Sequence, residues 1–88
     1  MTMFAVFALT MSEQPDFKVF SRRADAALYA TQKVEHGADT ADVYEISNAS
    51  NAASAKAALQ MGEGHFIEGR GRRATQAEIE MWLITSVL

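Results

Sequence analysis

The chain has 88 residues, a formal charge of −3 and no cysteine. This length predicts a single domain, residues 1–88. The absence of cysteine excludes disulfides, cysteine zinc sites and thiol catalysis. The mild acidic balance argues against general nucleic-acid binding, which is typical of basic domains. Sixteen residues are alanine and only twenty-seven are large and apolar, so the core is thin. We expect a homodimer, because self-association adds buried area.

The chain opens with an apolar run rich in Phe and Val, residues 3–9, which predicts a strand covered on both faces. Turn residues 12–16 and a second short strand, 17–20, then predict a hairpin. No Lys or Arg precedes Lys18, and the apolar run is far shorter than the roughly 20 residues that span a bilayer. We therefore expect a cytoplasmic protein that does not insert into membranes.

A helical pattern follows from residue 22 to about residue 35. Ser21 is the expected N-cap, and Gly37 is the expected residue of left-handed conformation after the last turn. The spacing of three and four residues predicts one inward face. That face consists of Ala24, Ala27, Leu28, Thr31 and Val34.

Three further elements complete the pattern. A strand is expected at 41–47, then an alanine-rich helix at 51–61 capped by Asn48 or Ser50 and ended by Gly62. A short strand is expected around 65–68, fraying or bulging at Gly69 and Gly71. Thr75 and Glu78 have the spacing of a capping box, in which each side chain binds the other residue's backbone N–H, and so begin the last helix.

The order β-β-α-β-α-β-α predicts a small α/β (α+β) fold. We expect a two-layer sandwich with a mixed sheet of about four strands and helices mainly on one face. No linker, repeat or low-complexity segment divides the chain.

The concentrated positive charge at the last helix is a candidate binding site. Arg70, Arg72 and Arg73 alternate with glycines just before a helix N-terminus, where free N–H groups and the helix dipole attract anions. The sequence lacks both GxxxxGK[ST] and GxGxxG. Two interpretations therefore stay open: the arginines contact an anion or nucleic acid, or they pair with the protein's own carboxylates.

The last helix is apolar over more than half of its circumference, which exceeds the one stripe needed to cover a small sheet. The main stripe consists of Ile79, Trp82, Leu83 and Val87. Met81, Ile84 and Leu88 lie to one side and widen it. We predict a dimer or partner interface on this helix, formed by Met81, Trp82, Ile84 and Leu88.

No catalytic or cofactor motif is present, and we predict no cofactor and no metal. Glu63 and His65 would face one side of a strand and Glu68 the other, which is poor geometry for a metal. Asp25, Asp42, Glu45 and His65 are the acid–base candidates, and their spacing selects none.

Three functions remain. The first is a non-catalytic protein-interaction or regulatory module acting as a homodimer. The second is an anion or nucleic-acid contact through residues 70–73. The third is a small enzyme or ligand-binding protein with its site at a dimer interface.

Overall fold

The structure is a computed structural model that describes residues 2–10 and 15–87, with the backbone alone for residues 82 and 84–87. Its order of elements is β-β-α-β-α-β-α, which confirms the predicted order and the α+β class. The elements are β1 (Met3–Leu9), β2 (Asp16–Phe20), α1 (Arg23–Glu35), β3 (Thr40–Ile46), α2 (Ala52–Gln60), β4 (His65–Gly71) and α3 (Gln76–Val87).

The four strands form one sheet in the order β2-β1-β3-β4, and every neighbouring pair is antiparallel. The predicted mixed sheet was therefore wrong. β2 and β3, which α1 connects, do run in the same direction, as a strand–helix–strand unit usually does. They form no ladder because β1 lies between them and pairs with both.

Helices cover both faces of the sheet, so the protein has three layers instead of the expected two. On one face, Phe7 and Leu9 of β1 pack with Leu59 of α2 and with Ile79 and Leu83 of α3. On the other face, α1 packs on the alternate residues of the same strands. The physical reason lies in β1, where five consecutive residues are buried, because a strand buried on both sides needs cover on both sides.

α1 contacts the sheet through a different face from the one predicted. Its buried residues are Ala26 and Ala30, four apart, with Tyr29 and Val34 packed beside them. Of the predicted inward face, only Val34 belongs to that cluster. Leu28, which was predicted to face inward, is 58 % exposed. Small alanine side chains let the helix axis approach the sheet closely, and the larger side chain of Leu28 is turned outward.

The start of α2 follows local chemistry, whereas the start of α1 does not: its N-cap is Arg22 without a side-chain hydrogen bond, so the predicted cap Ser21 was wrong. α2 begins with a capping box in which the Asn51 side chain accepts the Ser54 N–H at 2.8 Å and the Ser54 hydroxyl accepts the Asn51 N–H at 3.2 Å. The predicted caps, Asn48 and Ser50, were thus too early. The backbone of Gly37 and Gly62 has positive φ after α1 and α2, as predicted.

β4 is longer than predicted and carries its irregularity at another residue. Val43 faces Glu68 while Tyr44 faces Phe66, so Ile67 is the extra residue of a β-bulge. The strand continues through Gly69 to Gly71. This extension brings the arginine-rich segment into the sheet and fixes where its side chains point.

Candidate functional site

The segment between β4 and α3 is held down at two points of its backbone. The Arg72 N–H donates to the Asp39 carbonyl at 2.9 Å, and the Ala74 N–H donates to the Asp42 carboxylate at 2.9 Å. These bonds attach residues 72–74 to the start of β3. The three predicted anion-binding arginines therefore project from a fixed frame.

Arg70 points to the α1 side of the sheet. Its guanidinium forms a salt bridge with Glu68 at 2.8 Å and donates to the Thr31 hydroxyl at 3.0 Å. Glu68 also pairs with Arg23 of α1 at 3.2 Å. Hydrogen bonds from Arg70 and Arg23 lower the pKa of Glu68, so that carboxylate stays charged.

Arg72 and Glu78 form a two-point ion pair at the start of α3. The guanidinium donates to both carboxylate oxygens, at 2.8 and 2.9 Å. Glu78 also accepts the Thr75 N–H, while the Thr75 hydroxyl accepts the Glu78 N–H, so the predicted capping box is present. The bond from Arg72, aided by Thr75, lowers the pKa of Glu78 to about 2.

Arg73 points to the opposite face from Arg70. Its guanidinium lies 3.9 Å from the centre of the Phe66 ring, in a cation–π contact. The ring of Phe66 in turn meets that of Tyr44 edge-on, 5.8 Å between centres. Burial raises the pKa of both Asp42 and Tyr44, and the positive charge of Arg73 offsets part of that rise.

The structure thus separates the three arginines. Arg70 lies on one side of the sheet and Arg73 on the other, and Arg70 and Arg72 each bind a carboxylate of the protein. An external anion would compete with Glu68 and Glu78 at those two positions. The anion or nucleic-acid contact stays a prediction.

The predicted interface on α3 lies partly outside the described residues. Ile79 and Leu83 are buried, in agreement with the main stripe, and Met81 is 54 % exposed. The side chains of Trp82 and Ile84, and Leu88 as a whole, lie outside the described part of the chain. The interface therefore stays a prediction, with Met81 as its described member.

Asp42 is a fully buried carboxylate that spacing in the sequence did not single out. Besides Ala74, it accepts the Thr40 hydroxyl at 3.2 Å. Desolvation by burial raises its pKa. The carboxylate is closely packed against the backbone of β4, because a Cβ placed on Gly69 would stand 2.7 Å from its Oδ1. The feature of the sequence that could have indicated Asp42 is its place inside an apolar strand, in the segment "ADVYEI".

A second feature that the sequence did not indicate is a groove beside the edge strand β2. It has a volume of about 280 Å³ and is lined by Phe20, Asp25, Leu28, Tyr29 and Gln32. The four α1 residues recur with helical spacing, so they form one stripe alongside β2. The stripe was not predicted because Leu28 was placed on the buried face of α1.

Lysines and aromatic rings surround the groove. The Lys18 Nζ lies 5.0 Å from the centre of the Tyr29 ring and 5.6 Å from that of Phe20. Lys33 pairs with Asp16 at 3.3 Å, and the Tyr29 hydroxyl donates to the same carboxylate. Burial and this carboxylate raise the pKa of Tyr29. Asp16 is thereby occupied from two sides, whereas Lys18 has no carboxylate within 4.0 Å in the described residues.

Over residues 2–10 and 15–87, no group of three or more His, Asp or Glu side chains is placed to hold a metal ion. None of the helices in the same ranges has the length and apolar character required to cross a bilayer. Comparisons with protein-family models, curated proteins and solved structures find no significant match to this chain.

Proposed function

We propose that this chain is a small, non-catalytic protein-interaction or regulatory module that acts as a homodimer through α3. The observation that supports it is the exposure of Met81, 54 %, on a helix with seven apolar residues among its twelve. Ile79 and Leu83 already supply the buried stripe. A contiguous apolar patch is typical of a contact with another chain, and in this proposal Trp82, Ile84 and Leu88 extend Met81 into such a patch.

The composition of the core supports the same proposal. Nine of the eighteen buried hydrophobic residues in the described part of the chain are alanine. Because stabilisation follows the apolar area removed from water, about 25 cal/mol per Å², such a core adds little per residue. Burial of α3 against a second copy of the chain would add large side chains to this core. Met81, Trp82, Ile84 and Leu88 are the proposed contact residues, and the cysteine-free composition fits a reducing cytoplasmic setting.

The test is the mass of the protein in solution. We expect sedimentation at about 100 μM, a concentration that detects dissociation constants in the micromolar range, to give twice the 9.6 kDa of one chain. Met81→Lys places a charge in the proposed contact and should give the mass of a monomer.

Met61→Lys is the matched control. Met61 is 73 % exposed at the end of α2, where a positive charge is favourable, so this variant should keep the dimer mass. A wild-type chain that sediments as a monomer would remove the proposal. Equal effects of the two substitutions would show that α3 is not the contact.

A further inference from the structure

We propose that the groove beside β2 binds an extended acidic segment of a partner protein, which adds a strand to the outer edge of the sheet. This inference rests on the proposed function in one respect, namely that the module binds other proteins. It does not depend on the contact through α3, because the groove is a different surface. The apolar partner residue would contact Leu28 and Phe20. A partner carboxylate would pair with Lys18.

The position of β2 in the sheet favours strand addition. It is an edge strand that pairs with β1 on one side alone among the described strands. An edge strand presents free N–H and C=O groups, which an extended segment satisfies by strand addition. The stripe of α1 that lines the groove runs beside this edge, so it meets the side chains on one face of an added strand.

The size and the apolar lining of the groove suit a peptide side chain. A volume of about 280 Å³ lies below the range of most small-molecule pockets, about 300–1,000 Å³. Its apolar wall is Leu28, 58 % exposed, together with the rings of Phe20 and Tyr29. These dimensions fit one apolar side chain of a peptide.

The charges around the groove favour an acidic partner. Lys18 lies over two rings and has no carboxylate within 4.0 Å among the described residues, whereas Lys33 is paired with Asp16. Asp25 lines the groove near the start of α1, so a partner's negative charge fits at Lys18 and not at that end. Residues two apart on a strand share a face and lie about 6.8 Å apart. The recognised pattern is therefore an apolar and an acidic residue separated by one position.

The same geometry disfavours a second copy of this chain as the occupant. Lys18 is the central residue of the five in β2. A two-fold axis that pairs β2 with itself about its centre would place Lys18 opposite Lys18, and like charges in that position are destabilising. An acidic segment would instead place a carboxylate opposite Lys18, and this interaction is attractive.

Fluorescence polarisation with labelled synthetic peptides tests the proposal on the full chain. The probe is a threonine-rich heptapeptide with leucine and glutamate two positions apart. A second probe has lysine in place of glutamate, and a third has proline at its centre to prevent strand pairing. The first should bind saturably, the second at least about fivefold more weakly, and the third not at all.

Variants of the chain give the matching controls. Lys18→Glu should reverse the preference between the acidic and basic probes, and Leu28→Ser should weaken both. Lys56→Glu changes the same charge on α2 and should leave the preference unaltered. Backbone amide shifts of residues 16–20 should move with the acidic probe.

Three outcomes would overturn the proposal: no saturable binding of the acidic probe up to ~1 mM, equal affinity for the two charged probes, or undiminished binding of the proline probe. Sedimentation of the same samples reports on α3 separately. Met81→Lys should abolish the dimer and leave peptide binding intact. Loss of one property without the other therefore identifies which proposal has failed.

Discussion

At the scale of single residues, Asp42 connects the sheet to the start of α3. Its carboxylate accepts the Ala74 N–H and the Thr40 hydroxyl from a fully buried position. A buried carboxylate is expensive to desolvate, and its raised pKa reflects that cost. The hydrogen bonds offset the cost and fix the backbone between β4 and α3.

Replacement of Asp42 by alanine should therefore destabilise the fold. Asp42→Ala leaves the Ala74 N–H without its acceptor and opens a small void, so we expect a loss of about 2–4 kcal/mol in the free energy of unfolding. Urea denaturation measures it. Asp39→Ala is the control, because the Asp39 side chain is exposed and its hydrogen bonds are made by the backbone. Similar losses for both variants would contradict the assigned role.

The ion pair between Arg72 and Glu78 makes stability depend on acid pH. The pKa of Glu78 is about 2 in the folded chain, below its ordinary value of about 4.3. Its contribution is therefore fully present above about pH 5 and is lost as pH falls towards 2. We expect Glu78→Gln to lower the melting temperature at pH 7 and to match the wild type near pH 2.

Glu80→Gln is the control for that measurement, since Glu80 is exposed on the same helix and forms no salt bridge among the described residues. It should alter melting little at either pH. A difference between Glu78→Gln and wild type that stayed constant from pH 7 to pH 2 would show that the ion pair is not its source.

Part of the local residue chemistry could be predicted from the sequence, whereas long-range pairing could not. The Thr75–Glu78 capping box and the turns at Gly37 and Gly62 depend on residues a few positions apart, and all are present. The bond from Ala74 to Asp42 joins residues 32 positions apart. It depends on the register of β3 with β4, and no spacing within the sequence encodes that register.

At the scale of elements, α1 shows why a helical face is easy to assign wrongly. Two stripes of this helix contain apolar residues, one with Leu28 and one with Ala26 and Ala30. Counting large apolar residues favours the first. The structure buries the second, because alanines permit close contact with Val6 and Val43 of the sheet. The exposed Leu28 is the result, and the candidate groove depends on it.

The end of β4 requires glycine for two independent reasons. Gly71 has φ +73°, and a Cβ there would stand 2.3 Å from the Asp39 carbonyl oxygen. We expect Gly71→Ala to cost more than the roughly 1–2 kcal/mol of a left-handed alanine alone, because backbone atoms must also move. Thermal or urea unfolding of the purified variant measures this cost.

Gly37→Ala separates the cost of the positive φ from the cost of the steric clash. Gly37 has φ +101° with no atom within 4 Å of an added Cβ, so it carries the conformational cost without the clash. Equal destabilisation by the two substitutions would mean that the strand end moves freely away from Asp39.

The direction of the strands shows a further limit of element-level prediction. The order of elements was correct, and a strand–helix–strand unit does place β2 and β3 in the same direction. Whether such strands are neighbours depends on a third strand inserting between them. β1 does so because it is apolar on both faces, which makes the centre of the sheet its most favourable place.

At the scale of the whole molecule, the three layers divide a small supply of apolar residues between two cores. One core, under α1, contains five alanines with Val6 and Val43 and the partly buried residues around them; the other, under α2 and α3, holds larger side chains such as Phe7, Leu59 and Leu83. Each core is small, since its helices and sheet come from 88 residues. An additional contact outside the chain, on α3 or on β2, therefore adds substantially to the burial available.

The central place of the first strand also affects how the protein is made. β1 leaves the ribosome before the other three strands of the sheet, and β2, the next of them to emerge, covers one of its edges. Its other edge pairs with β3, whose residues begin at Thr40. Until some thirty further residues have been synthesised, the most apolar strand of the protein has an open edge, which is a template for aggregation. We therefore expect slower translation across α1 to lower the soluble yield.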